Sequence, residues 1–313
     1  MHVLSIPCLI MASICFYVGG YYLFFYLKRP QIRKHLPFAL LCLSVCLYDI
    51  FCGGLYNSSS IEKGAFWENL QFYAIDAIAI FSLWFTGCYT EQKGNVIIRF
   101  FTAFFIIVPI VSFFAGPGLT LSTAHPAIKN VNLFNSLKIT YHEAAVGTLY
   151  QLEIVSAIIA YIYLFRLFLG HYRKTGDKAL LPVIACQIIY FLGVINDYLV
   201  TMQYYTFMYV SEYAFFFIII SIAYILLDNF VDVHAAFEEL NYDLERKVHE
   251  KTREILDAQE QVKRLEGIIP ICMYCKKIRD DKESWLQLEQ YISEHSEAMF
   301  SHGVCPDCIE KLS

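Results

Sequence analysis

Four cysteines near the carboxyl end have the residue type and spacing to do chemistry. They form the runs Cys272-Met-Tyr-Cys275 and Cys305-Pro-Asp-Cys308. Each pair can wrap a turn that aims two sulfurs at one point, and two pairs complete the tetrahedron that zinc accepts in a closed structural site. Pro306 stiffens the second turn, and Lys276, Lys277, Arg279 and His302 stand nearby to offset thiolate charge. The expected metal ligands are therefore Cys272, Cys275, Cys305 and Cys308, with zinc as the metal and iron as the alternative. A redox-active thiol pair is a further reading of the same spacing.

A second set of candidates is acidic. Asp49, Asp76, Glu153, Asp197 and Glu212 all lie inside strongly apolar runs. A carboxylate in hydrocarbon costs several kcal/mol, so such residues face a bundle interior and mark function. With the topology given below, all five fall at similar depth in the outer half of a bundle, near Gln71, His142, Glu143, Gln151 and Asn196. No Lys or Arg is expected in that layer. The functional reading is an outward-facing pocket for a cation, an amine or a proton. The alternative is that the same side chains serve as polar contacts between helices. Cys8, Cys15, Cys42, Cys46, Cys52, Cys88 and Cys186 also lie in apolar runs and are read as packing residues, because a free Cys behaves as a small hydrophobe.

The elements that must position these groups are membrane helices. The chain is 57% hydrophobic and 17% charged, below the quarter or so of charged residues usual in soluble domains. Seven runs near 3–27, 36–55, 71–89, 97–116, 146–170, 179–201 and 206–227 approach the ~20 residues that span a bilayer. Alternate connectors are basic: Lys28, Arg29, Arg33 and Lys34 in the first, Arg99 after the third, and Arg173, Lys174 and Lys178 in the fifth. The opposite connectors, near 56–70, 117–145 and 202–205, hold only Lys63, Lys129 and Lys138. Positive loops stay in the cytoplasm, so the amino terminus is expected outside and the carboxyl tail inside. MHVLSIP carries no Lys or Arg, so the first run reads as a retained helix rather than a signal peptide. A formal net charge of −5 gives no case for nucleic-acid binding.

Beyond Asp228 the composition turns charged. Phe237, Leu240, Leu244, Val248, Ile255, Ala258, Val262 and Leu265 recur mostly at steps of three and four, the seam of a coiled coil. Successive steps of four near Leu244 and Val248 mark a stutter. The spacing predicts a homodimer through the 237–265 helix, since an apolar stripe needs a partner. The domain organisation is therefore 1–227 for the bundle, 228–267 for the linker helix and 268–313 for the four-cysteine module. Trp285, Leu288, Tyr291 and Ile292 are expected to pack over the metal at helical spacing. Some 45 residues are too few for an unaided core, so a metal clip fits.

Two stretches carry family resemblances. HLPFALLCLSVCLYDIFCGGLYNSSS, FWENLQFYAIDAIAIFSLWFTGCYT, INDYLVTMQ and EYAFFFIIISIAYILLDNF resemble the seven-span amino-terminal sensor region of bacterial histidine kinases and diguanylate cyclases. LERKVHEKTREI resembles the linker helix of those sensors, and IPICMYCKKIRDDKESWLQLEQYISEHSEAMFSHGVCPDC is similar to a short module at the ends of bacterial signalling proteins. Rubredoxins also place two C-x2-C pairs at about this gap, but follow each with Gly, where this chain has Lys276 and Ile309. The resemblance implies a sensor in a bacterial inner membrane. His249 lacks an acidic-Pro context, and no ATP-lid, GGDEF or EAL string occurs, so no enzyme activity is expected. The expected fold is an all-α membrane protein with a seven-transmembrane bundle, a cytoplasmic coiled-coil helix and a small metal-stapled module, acting through a cytoplasmic signalling partner. A membrane redox protein and a small transporter using the acidic layer are the alternatives.

Overall fold

The computed structural model describes residues 2–92, 94–116, 118–133, 137–202, 204–261 and 269–312. It divides into two compact units, Met1–Val231 and Asp232–Ser313.

The first unit is built on helices α1 (Ser5–Lys28), α2 (His35–Tyr56), α3 (Ile61–Tyr89), α4 (Val96–Phe114), α5 (Thr148–Thr175) and α6 (Leu181–Thr201), and on the first part of α7 (Ser211–Gln261). All seven are long and apolar enough to cross a membrane, so the chain is a multi-pass membrane protein. Phe16, Phe24, Phe100, Phe113 and Phe114 point away from the protein, as lipid-facing side chains do when lipid rather than water is the solvent. Inward, Phe38, Phe85, Phe105, Phe168, Ile219 and Ile225 are buried.

Local chemistry sets the helix ends. The Ser60 hydroxyl accepts from the Lys63 N–H at 3.4 Å, an N-cap that starts α3 ten residues before the apolar run at 71 and brings Gly64 and Glu68 into the helix. Asn95 caps α4 by accepting from the Ile97 and Ile98 amides. Gly176, at φ +69°, ends α5 behind Arg173 and Lys174, the left-handed residue and cations that suit a helix carboxyl end.

One large departure from the all-α expectation lies in the 117–145 connector. It forms an antiparallel hairpin of β1 (Leu121–Leu133) and β2 (Leu137–Val146), with Lys129 opposite Tyr141 and Val131 opposite Ile139. Burial alternates along it: Lys129, Val131, Ile139, Tyr141 and Glu143 are buried, while Ile128, Asn130 and Thr140 are exposed. That period of two is the mark of a half-buried sheet. The hairpin lies against α3 so closely that a Cβ on Gly64 would sit 1.6 Å from the His142 carbonyl oxygen. Only glycine admits that approach.

In the second unit the solvated part of α7 carries paired charges. Asp243 lies 2.5 Å from Arg246 and 2.9 Å from Lys247. Hydrogen bonding and charge from Lys247 hold the Asp243 carboxyl below its ordinary range. Phe237, Leu240, Leu244, Val248 and Ile255 are all exposed along α7, while Val262 and Leu265 lie outside the described residues. A small hairpin follows, β3 (Ile278–Arg279) and β4 (Trp285–Leu286), then α8 (Leu288–His295) and α9 (Pro306–Leu312). Trp285 is thus a strand residue paired with Arg279, not part of a helical series with Leu288 and Ile292. Asp280 explains the break. Its carboxylate accepts from the Lys282 and Ser284 amides, and such a side-chain-closed turn favours a hairpin over a helix.

Candidate functional site

Glu212 begins α7 inside the bundle, and its Oε1 accepts from the Tyr56 hydroxyl at 2.8 Å. Asp197, near the end of α6, accepts from the Val210 and Ser211 amides at 2.9 and 3.0 Å and from Asn196 at 2.8 Å. The first turn of α7 is therefore held by a carboxylate, which the N–H groups and dipole of a helix start favour. Glu153 on α5 is 1% exposed, and neither of its oxygens has a hydrogen-bond partner among the described residues. Glu153, Asp197 and Glu212 line one cavity of about 260 Å³ within the bundle.

The other two expected acids do not line it. Asp49 and Asp76 are buried, and their oxygens have no hydrogen-bond partner among the described residues. Each lies within electrostatic reach of a cavity residue, Asp49 of Glu212 and Asp76 of Glu153. Asp197 in turn lies within electrostatic reach of Glu212, so Asp49, Asp197 and Glu212 form one group and Asp76 with Glu153 another. Gln71 does line the cavity, whereas Gln151 is exposed.

The hairpin supplies residues whose partnership the sequence reading missed, although that reading placed Glu143 near the acidic layer. Lys129 and Glu143 form a buried ion pair at 2.6 Å. Tyr209 donates to the same Glu143 oxygen at 2.9 Å and accepts from Lys129 at 2.8 Å. Burial raises the Tyr209 phenol well above its ordinary value, which keeps the proton it donates. Glu68 accepts from the Ala144 amide at 3.2 Å. The expectation of a layer free of Lys and Arg is therefore corrected. Lys129 enters on a strand whose alternation turns it inward, and a buried carboxylate neutralises it. Glu68, Glu143 and Tyr209 all line the cavity. Aromatic rings join the two regions, with Tyr141 packed 5.7 Å from Tyr56 and 5.2 Å from Tyr209. The signal for these residues was the alternation through Val131, Ile139 and Tyr141, which apolar-window reading passes over.

Cysteines in the spans behave as packing groups. Cys8, Cys15, Cys42, Cys46 and Cys52 are buried, and Cys8 Sγ lies 3.8 Å from Glu212 Oε1.

In the tail, each C-x2-C pair forms a tight turn. The Cys272 amide donates to the Lys277 carbonyl at 2.8 Å, and the Lys276 amide donates back to the Cys272 carbonyl at 3.0 Å. Lys276 adopts φ +59°, the left-handed conformation that a glycine would otherwise supply. Hydrogen bonds from the Cys275 and Tyr274 amides and from the Cys275 side chain, with charge from Lys276, hold the Cys272 thiol below its ordinary 9.0. Cys305 sits at the start of α9. Bonds from the Cys308 amide and side chain, and from the Asp307 amide, lower its thiol likewise. The structure thus brings Cys272 to Cys275 and Cys305 to Cys308. It does not gather the two pairs, and among the described residues no group of three or more His, Cys, Asp or Glu converges as metal ligands.

The family model described as the N-terminal 7TM region of histidine kinase matches residues 7–233. The chain belongs to that family. The match takes in all seven spans, the β1–β2 hairpin and every cavity residue named above. It ends within α7, just past Asp228, where the composition turns charged, and ahead of the cysteine pairs. No curated protein matches the chain.

Proposed function

We propose that this protein is a signal-transduction sensor of a bacterial inner membrane, with its amino terminus outside and its tail in the cytoplasm. The cavity is the signal site and α7 is the relay. Residues 228–313 carry no kinase, cyclase or phosphodiesterase motif, and their role is to bind a cytoplasmic signalling partner. The observation that carries this reading is the course of α7. Its first residues include Glu212 on the cavity wall, and the same helix continues to Gln261. A change in the hydrogen bonds at Asp197 or Glu212 therefore acts on the start of a rod whose other end lies among charged residues. The basic connectors at 28–34, 99 and 173–178 support the orientation.

At the far end, the two cysteine turns close on one zinc ion and make the module rigid. Hydrogen bonds within both turns lower the Cys272 and Cys305 thiols, which eases the deprotonation that a metal requires. Ile278 is the one fully buried hydrophobic side chain among the described residues of the module, so its core supplies little stability of its own. A parallel homodimer through residues 237–265 covers the exposed stripe of α7.

Amide hydrogen exchange over residues 232–261 of the full chain in membranes tests the relay. Glu212→Gln is expected to change protection there relative to the parent protein. Identical exchange in both proteins would refute coupling between cavity and rod.

A further inference from the structure

Taking the cavity to be the signal site, we propose that it binds a lipophilic ammonium, with its cationic head at Glu153 and its apolar body against the aromatic and aliphatic side chains of the cavity wall.

On the cavity wall, among the described residues, both oxygens of Glu153, the Oε1 of Gln187 and the Nε2 of Gln71 lack hydrogen-bond partners, and Glu153 is 1% exposed. A buried carboxyl left unpaired is costly, so a ligand that fills the place beside it must bring a donor. Of the other carboxylates on the wall, Asp197 and Glu212 accept from the α7 amides and from Tyr56, Glu143 from Lys129 and Tyr209, and Glu68 from the Ala144 amide, which leaves Glu153 as the open carboxylate.

Charge then selects a cation over a neutral donor. Asp76, buried and without a hydrogen-bond partner among the described residues, stands within electrostatic reach of Glu153. Carboxyls in apolar surroundings keep their protons when nothing pairs with them, and an ammonium is the ligand that stabilises the ionised form. Among the described residues that line the cavity there is no Lys, Arg or His, and Lys129 is engaged by Glu143.

Shape selects an organic cation over an inorganic one. The cavity wall also includes Ala157, Tyr161, Tyr190, Phe215 and Ile219. Those aromatic and aliphatic groups suit hydrocarbon and the face of an ammonium, whereas a bare metal ion requires a shell of oxygens.

The test uses the full chain purified in detergent, with thermal unfolding followed in n-hexylamine, 1-hexanol and hexanoate at equal concentration and neutral pH. Hexylamine is expected to raise Tm by roughly 2–4 °C near saturation, with no rise from the alcohol or the acid. Glu153→Gln, which keeps the shape and removes the charge, is expected to lose the response. Ala157→Leu, which fills the space below the head, is expected to lose it as well. The proposal is overturned if hexylamine gives no rise, if hexanol matches it, or if either variant responds as the parent does. The sensor reading fails separately: hexylamine that binds without altering exchange over residues 232–261 removes the relay but leaves the ligand class standing. Altered exchange in Glu212→Gln without hexylamine binding does the reverse.

Discussion

Lys129 Nζ lies 2.6 Å from Glu143 Oε2, and both side chains are almost wholly buried across a hairpin from one another. Tyr209 bonds to both, so the segment that starts α7 is tied to the hairpin through the same ion pair.

Breaking that pair on one side leaves a buried charge without its partner. Lys129→Met is expected to destabilise the protein by about 3–5 kcal/mol, whereas replacing both residues, Lys129→Met with Glu143→Leu, recovers most of the loss. Thermal unfolding of the two single variants and the double variant measures the coupling.

The contact between Gly64 and His142 sets where the hairpin sits. Gly64→Ala places a methyl group against a backbone carbonyl and is expected to cost about 1–3 kcal/mol. Residues 121–146 should then become more open to limited proteolysis while the helices remain resistant. Unchanged cleavage would show that the hairpin does not depend on this approach.

Asp197 acts on α7 through hydrogen bonds to two amides, so its substitutions should be graded. Asp197→Asn keeps an acceptor oxygen, and Asp197→Ala removes the cap at a cost of about 1–2 kcal/mol. The ordering of Tm values, parent above Asn above Ala, checks the cap.

The tail cysteines have a defined pH signature. The fold holds Cys272 and Cys305 below 9.0, so it stabilises their thiolates. That contribution is present above the ordinary thiol value and is lost as pH falls through the lower folded value. In metal-free protein, alkylation of Cys272 by iodoacetamide should therefore reach its midpoint below pH 9, and Lys276→Gln should move the midpoint up. In protein prepared without chelator under anaerobic conditions, elemental analysis should find one zinc per chain, lost in Cys305→Ser. Iron with a visible spectrum would favour the redox alternative.

Much of this architecture was legible in the sequence. All seven spans could be read because a bilayer demands long apolar runs. The interior carboxylates could be read because charge is so costly there. The start of α3 could not, because a serine cap rather than hydropathy sets it. Lys129 looked like a loop cation, since a lone Lys between spans is normally solvated. Its burial depends on strand pairing with Tyr141 and on Glu143, which are long-range facts. Sequence spacing likewise put five acids in one layer without saying which face the cavity. The turns at Asp280 and Lys276 are local, and their geometry followed from side-chain capping and a positive φ that composition does not display.

The relay is tested most directly by photo-crosslinking between copies of the full chain in membranes, from a photoreactive residue placed at Leu244. A dimer through the apolar stripe of α7 predicts a strong crosslink whose yield changes when Glu212→Gln alters the cavity. A yield that is strong in the parent protein but identical in Glu212→Gln would contradict the claim that the cavity and the rod act as one device, and the absence of any crosslink would remove the dimer.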